Sequence, residues 1–215
     1  MAKAVDCQCK AFTRAIEVLG RPWTAAILTA LQPGRRRFCE IGEAVPGMNN
    51  LMLRYAHPPR QPAALIARLR AAWKDVPPME VEGRLIELPV TYGGESGPHL
   101  ADVLRHTGLC IDDLVSLHTA PDYVVFALGS HPGYCYLGGM DPRLTTPRRK
   151  VPMLRIPEGS VSIGGSQTGV SASAGPSGWN TIGATTARFF DVGRDPPALF
   201  QPGDRLRLRA VAVIQ

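Results

Sequence analysis

The sequence predicts an α+β protein whose larger, carboxy-terminal part is an antiparallel β-barrel. Three observations carry this expectation. The chain of 215 residues holds 22 Gly and 20 Pro, a load of turn formers that suits short strands and tight turns better than a helical bundle. From Tyr123 onward the apolar residues follow a strand period, interrupted at roughly ten-residue spacing by Gly and Pro. Helical periodicity is confined to the segments before that point. Closing such strands into a barrel, or nearly so, removes the free edges they would otherwise expose.

Composition bounds the rest. A hydrophobic content of 45% and a charged content of 20% are those of an ordinary globular protein, and the length suits one large domain or two small ones. Much of the net charge of +6 sits in Arg35-Arg36-Arg37 and Arg148-Arg149-Lys150. Such clusters suit a nucleic acid, a phosphate or an acidic partner, and equally a solvated surface. Cys7, Cys9, Cys39, Cys110 and Cys135 are odd in number and contain no C-x-x-C pair, which reads as reduced thiols in the cytoplasm. Charges interrupt every apolar run of the opening "MAKAVDCQCKAFTRAIEVLGRPW", so neither a signal peptide nor a membrane span is expected there.

The elements follow in order. Phe12, Ile16 and Leu19 share a helical face that Gly20-Arg21-Pro22 terminates, and a second helix begins at Pro22 or Trp23 with Trp23, Ile27, Ala30 and Leu31 on its apolar side. After the Pro33-Gly34 turn a short helix is expected from Phe38 to about Ala44, and Pro46-Gly47 breaks the chain again. Leu51, Leu53 and Tyr55 alternate with polar or small neighbours as in a strand. A short helix from Asn49 to Tyr55 is the alternative reading. Leu65, Leu69 and Trp73 give an amphipathic helix over Gln61–Trp73 with Pro62 in its first turn. "RLIELPVTY" (84–92) reads as a strand, Pro98–His106 as a helix, and Ile111, Leu114, Val115 and His118 mark another. The strands expected beyond are "YVVFAL", "MLRIP", "SVSIGG", "TGVSAS", "WNTIG", "ARFFD" and "RLRLRAVAV".

Two resemblances overlie this pattern. The run "CKAFTRAIEVLGRPWTAAILTALQPGRRRFCEIGEAVPGM" resembles, over about residues 7–48, the opening of an HxlR-type winged helix-turn-helix regulator. A DNA reader of that kind needs a recognition helix and a two-stranded wing. No wing follows Met48, so nucleic acid is not the expected partner, and DNA binding through this segment stands only as an alternative. The larger resemblance rests on "VPGMNNLMLRY", "LPVTYGGESGPHL", "LHTAPDYVV", "HPGYCYLGGMDPRLTTPRRKVP", "IPEGSVSIGGSQTGV", "GPSGWNTIG" and "FFDVGRDPPALFQPGDRLRL". From about Val45 to Ile214 the chain resembles the carboxyltransferase subdomain C and D family, which includes the B subunit of 5-oxoprolinase (PxpB), the KipI protein and allophanate hydrolase subunit 1.

That resemblance implies a cyclophilin-like β-barrel from around residue 84 and, before it, a small ferredoxin-like α/β domain. Here the small domain would be incomplete, with the helical segment standing where its first strand and helix belong. The implied domains are 1–48, 49–83 and 84–215. The implied activity is that of one component of an ATP-dependent, lactam-opening 5-oxoprolinase. It would act with a homologous, larger C subunit (PxpC- or KipA-like) and with the A subunit, on a small carboxylate or amide substrate. Urea-carboxylase-like carboxyl transfer is the close relative, and KipI-like inhibition of a sensor histidine kinase is the non-catalytic alternative. ATP is a cofactor of the complex, and no metal site is evident in the sequence. Ser130 and His131 stand where the family pattern has an aromatic and a small residue, and His99 where an acidic residue is expected after Gly-Pro.

The candidate site residues lie in two glycine-rich runs, expected at the barrel rim. In the first, Pro132 and Gly133 with Gly138 and Gly139 allow close backbone approach to a ligand. Tyr136 offers a wall. Arg148 and Arg149 offer planar multi-donor groups for a carboxylate or phosphate. Asp141 is placed to anchor one of these arginines, a metal or a water. His131 is the candidate acid or base. In the second run, Gly164, Gly165 and Gly169 bracket Ser166, Gln167 and Thr168, three neutral polar groups suited to an amide or lactam. Trp179 is read as core or pocket wall. The alternative for each run is a structural loop, held by internal hydrogen bonds, with its arginines in water. No Ser-His-Asp set and no lysine at phosphate-loop spacing stands out.

Overall fold

The computed structural model describes residues 41–46, 51–55, 57, 60–75 and 83–215. The helix-turn-helix-like segment up to residue 40 lies outside them. The chain divides into two compact units, Met1–Glu82 and Gly83–Gln215. In the first, β1 (Ile41–Pro46) pairs antiparallel with β2 (Leu51–Tyr55), Pro46 facing Leu51 and Val45 facing Met52. The helix expected to reach Ala44 is therefore corrected over residues 41–44. Ile41 and Val45 are β-branched, Gly42 weakens a helix, and a ladder with β2 satisfies backbone groups that one isolated turn could not. The alternative helix over 49–55 is likewise a strand from Leu51. Helix α1 (Pro62–Asp75) starts on its proline, as expected, and buries Leu65.

The second unit is built on a seven-stranded sheet. Its strands are β3 (Leu85–Gly93), β4 (Asp122–Leu128), β5 (Cys135–Gly138), β7 (Ser160–Gly164), β8 (Gln167–Val170), β10 (Asn180–Ala184) and β11 (Arg205–Ile214), in the order β5-β4-β11-β3-β10-β7-β8. The edge strands β5 and β8 approach to Cα separations within 8 Å, which nearly closes the barrel. Neighbouring strands run antiparallel except β3 and β11, which pair in parallel from Leu85↔Arg205 to Gly93↔Ile214. A parallel pair needs a long crossover, and the whole intervening barrel supplies it. Outside this sheet, β6 (Met153–Ile156) and β9 (Gly175–Ser177) form a small arm.

Helix α2 (Leu100–Thr107) ends on Gly108 in the left-handed region at φ 71°, and α3 (Ile111–Thr119) carries Asp112 and Asp113 in its first turn. The run "ARFFD" is not a strand. Phe190 makes a single bridge to Ala198, while Phe189 is buried against Phe200 with ring centroids 5.5 Å apart. In "TGVSAS" the strand ends at Val170, with Ser171 still exchanging backbone bonds with Ser160 and Gly159 at 2.9 and 2.8 Å.

Strand alternation sorts β3 and β11 into two faces. Leu88, Val90, Tyr92, Leu206 and Leu208 enter the core. Between them, Arg207 donates to Asp122 at 2.6 and 2.9 Å, and Arg209 to Glu87 at 3.0 Å, a ladder that ties β4, β11 and β3 in register.

A more enclosed pair pins the starts of β3 and β11. The Asp204 carboxylate accepts from the Arg84 backbone amide (3.1 Å), from the Arg84 guanidinium (2.5 and 3.2 Å) and from the Gln201 amide (2.8 Å). Burial alone would raise its pKa. The bonds from Arg84 and Gln201 outweigh that and hold it below the usual carboxylate value. Because the folded-state pKa is depressed, this stabilisation is present above the unfolded value and lost as pH falls through the folded one. Asp204→Ala should therefore cost about 1–3 kcal/mol at pH 7, discounted because Arg84 is half exposed. In urea unfolding, the gap between wild type and variant should narrow below pH 3.8; a gap independent of pH would contradict the pairing.

Candidate functional site

The two glycine-rich runs meet because three backbone stitches hold them together. Thr146 and Gly165 exchange amide-to-carbonyl bonds of 3.1 and 2.7 Å. The Arg149 amide donates to Gly178 O at 2.8 Å. Asn180, itself buried, donates from Nδ2 to Pro147 O at 2.9 Å and to Ile163 O at 3.3 Å. The segment 146–149 is thus fixed against the β7–β8 turn and the turn before β10. This places the Arg148 guanidinium 5.7 Å from the centroid of the Trp179 ring, over its face.

Trp179 in turn lies on glycine. A side chain at Gly164 would overlap its indole, and one at Gly169 would meet the Tyr134 hydroxyl at 3.0 Å and the indole at 3.3 Å. Tyr134 continues the wall, with His131 at 5.0 Å and Tyr136 edge-on at 5.2 Å between ring centroids. Burial pushes the Tyr134 phenol up to about 12, with Tyr136 and Cys135 adding to the rise and Arg148 opposing it. It therefore remains a hydrogen-bond donor. Arg148, Trp179, Tyr134, Tyr136 and His131 form one continuous cationic and aromatic wall.

Several expected site residues fall elsewhere. Thr168 is buried inside the barrel, not on its rim. Gly133, at φ 78°, makes room for the Phe189 carbonyl and Phe190, both 2.9 Å from where its Cβ would sit, and Gly138 makes room for the Phe126 ring. Neither opens toward a ligand. Asp141 anchors neither Arg148 nor Arg149. Arg143 grips it at 2.7 and 3.0 Å, and that hydrogen bonding, joined by the Arg143 backbone amide, pushes the carboxyl down to about 2. Pro132 and Ser166 are exposed, Gln167 and Gly165 are half-buried, and Gly165 has open space where a Cβ would sit. His131 keeps a buried Nε2 with no hydrogen-bond partner among the described residues.

Arg149 departs from Arg148. Its Nη1 reaches Asp102 on α2 at 3.5 Å, and its Nε is buried without an acceptor among the described residues. Beside it His99 is buried, its Nδ1 accepting from the Thr181 amide at 2.9 Å. Burial and then Arg149 lower the His99 pKa, with Asp102 opposing, so its ring is neutral and carries its proton on Nε2. Tyr134 and Asn180 were not singled out from the sequence, and His99 only as a departure from the family pattern. Only Tyr134 left a signal there: it is two residues from Tyr136 and so on the same face of an extended segment.

Behind the wall, the barrel holds a directional polar chain. Tyr92 Oη lies 2.8 Å from His118 Nδ1, His118 Nε2 lies 2.7 Å from Thr168 Oγ1, and Thr168 donates to Ser162 O at 3.3 Å. Thr168 has one hydrogen to give, so His118 donates from Nε2 and accepts at Nδ1 from the Tyr92 hydroxyl. The Tyr123 hydroxyl closes the set on His118 O at 2.7 Å. Burial pushes the His118 imidazole down to about 3. Among the described residues no group of three or more His, Cys, Asp or Glu side chains is placed to hold a metal, and no helix is long and apolar enough to cross a membrane.

A nearly closed barrel with two helices and a rim of glycine-rich turns is a carboxyltransferase-type fold. The same fold recurs in the K. lactis urea amidolyase, at a TM-score of 0.60 and 18% identity over 87% of this chain and 13% of that one. The chain belongs to the family described as carboxyltransferase domain, subdomain C and D, whose model matches residues 12–200. That match begins within the segment that resembles a helix-turn-helix regulator. The chain is 47% identical to the 5-oxoprolinase B subunit of Escherichia coli O157:H7, over 78% of this chain and 77% of that protein. It is 39% identical to the protein of the same name from Haemophilus influenzae, over 78% of each. A solved structure of a conserved uncharacterized protein from Pyrococcus horikoshii superposes with a TM-score of 0.59 at 34% identity, covering 89% of both chains.

The buried histidine has a measurable consequence. Its folded-state pKa of about 3 lies below the usual 6.5, so the unfolded chain binds the extra proton between these values. Stability should fall as pH drops from about 6.5 to about 3, at about 1.4 kcal/mol per unit from this group alone. His118→Gln should remove that component while costing about 1–3 kcal/mol at pH 7 for the polar groups it leaves unpaired. Equal pH slopes in the two proteins would show that His118 is not buried neutral.

Proposed function

We propose that this chain acts as the B subunit of an ATP-dependent 5-oxoprolinase. With a larger homologous C subunit and the A subunit, in the cytoplasm, it would open the lactam 5-oxoproline to glutamate. Similarity to two proteins of that name over more than three-quarters of their length supports the assignment. The observation that carries a role for this chain's own residues is the Arg148 guanidinium stacked on Trp179. Stacking one face on the indole leaves the planar edge donors free for a carboxylate, the group such a substrate must present.

In this reading the aromatic wall receives the apolar edge of the small ring, and Arg148 binds its carboxylate. The Tyr134 hydroxyl, Ser166 and Gln167 offer hydrogen bonds to the lactam amide. Ring opening moves a proton onto the departing nitrogen, and the His131 imidazole is the candidate on this wall to move it. ATP supplies the driving force in the complex. The Gly164–Gly169 hairpin does not fit its polyphosphate, because Trp179 and Tyr134 occupy the space above Gly164 and Gly169. No step on this chain is assigned to ATP.

Arg148→Ala with Gln167→Ala should lower 5-oxoproline opening by the reconstituted complex at least ~100-fold, as expected when a charge-assisted contact and an amide contact are lost together. Circular dichroism and the thermal midpoint of the isolated chain should hold. Full activity of the double variant would end this assignment of the wall. Co-purification tests the partner: a larger homologous protein is expected, and capture of a sensor histidine kinase in its place would favour the inhibitor alternative.

A further inference from the structure

The segment Thr146–Val151 and helix α2 border an open depression of about 400 Å³, lined by His106, Arg148, Arg149, Lys150 and Asn180 among others. We infer that this depression binds a phosphate group. The inference counts Arg148 as a lining charge and does not rest on its proposed carboxylate role.

Charge is the first argument. Arg148 and Lys150 form no ion pair with a carboxylate among the described residues, and Arg149 has one long contact of 3.5 Å to Asp102. Asp102 is already engaged at 3.0 Å by Arg105, so it neutralises Arg149 only in part. His99, the other titratable group against Arg149, is buried and neutral and adds no negative charge. The lining is cationic overall.

Rigidity is the second. Three neighbouring cations on a free loop would spread apart in water. Here Thr146, Pro147 and Arg149 are each tied by their backbone to Gly165, Asn180 and Gly178, so the strap that carries Arg148, Arg149 and Lys150 is held beside the depression. The third argument is the orphaned donor: Arg149 Nε is buried with no acceptor among the described residues, an arrangement relieved when an acceptor arrives. A tetrahedral phosphate offers acceptor oxygens in several directions at once. That suits donors carried on both a strap and a helix better than a planar carboxylate, which one arginine satisfies.

The test uses the full chain and follows its thermal midpoint against sodium phosphate, with sodium chloride at matched ionic strength as reference and ATP in a parallel arm. His106→Gln with Lys150→Gln removes one exposed imidazole and one exposed ammonium whose side chains make no hydrogen bond or ion pair among the described residues. The expected result is a saturable rise in midpoint with phosphate or ATP, absent with chloride. Half-saturation should move to about tenfold higher concentration or more in the double variant, as befits the loss of charge-assisted contacts. The midpoint of the variant in chloride should stay unchanged. Saturation at lower concentration by inorganic phosphate or by ATP identifies the source of the group. A rise that never saturates, or one equal in wild type and variant, would be general ionic screening and would overturn the proposal.

Discussion

One buried amide holds the rim together. Asn180 donates from its single side-chain nitrogen to Pro147 on the basic strap and to Ile163 on β7, while Thr146 and Gly165 close the gap beside it. Without these bonds the strap between Leu144 and Met153 would be a solvated loop with its arginines in water. With them, Arg148 has one place to lie, over Trp179, and Arg149 has another, toward α2. A long segment rich in proline is inexpensive to hold in this way, because proline has already surrendered much of the conformational freedom that ordering removes.

The same logic sets what the glycines do. Gly164 and Gly169 are small so that Trp179 and Tyr134 can sit on the backbone, and Gly133 and Gly138 are small so that Phe189, Phe190 and Phe126 can. Four glycines that look like a ligand cradle are seats for aromatic rings of the same chain. The surface that results is aromatic and cationic, not a nest of backbone amides. Such a surface presents rings and a guanidinium, the groups that the proposed recognition of a planar or anionic molecule requires.

Beneath it, the near closure of the barrel carries a polar cost that the interior meets in full. Tyr92, His118, Thr168 and Tyr123 each find a partner, and the direction of the bonds from Tyr92 through His118 to Thr168 follows from the one hydrogen Thr168 has to give. Such a chain links β3, α3 and β8 in one arrangement only, because reversing any member strands another in a medium that cannot hydrate it. On the outer face, the charge ladder of Asp122, Arg207, Glu87 and Arg209 orders the register at little cost or gain, being open to solvent.

The sequence by itself determined most strands of the barrel, the helices of the second unit and the family, but not β5, which lies inside the run expected as a rim loop, nor β9. Alternation in "RLIELPVTY" and "RLRLRAVAV", and the punctuation by Gly and Pro, are local properties that no packing reverses. It also marked Arg148, Tyr136 and His131 as residues of an expected rim, and Trp179 as core or pocket wall. Tertiary structure alone decided the rest. Ile41–Pro46 is a strand because β2 is there to pair with it. "ARFFD" is not one, because Phe189 is worth more against Phe200 than in a ladder. Thr168 left the rim for His118, and Asp141 took its neighbour Arg143 over more distant arginines. The parallel pairing of β3 with β11 and the divergence of Arg148 from Arg149 have no local signature either. They depend on which groups meet across more than a hundred residues of chain in the first case, and on which side of a pinned backbone each side chain emerges in the second.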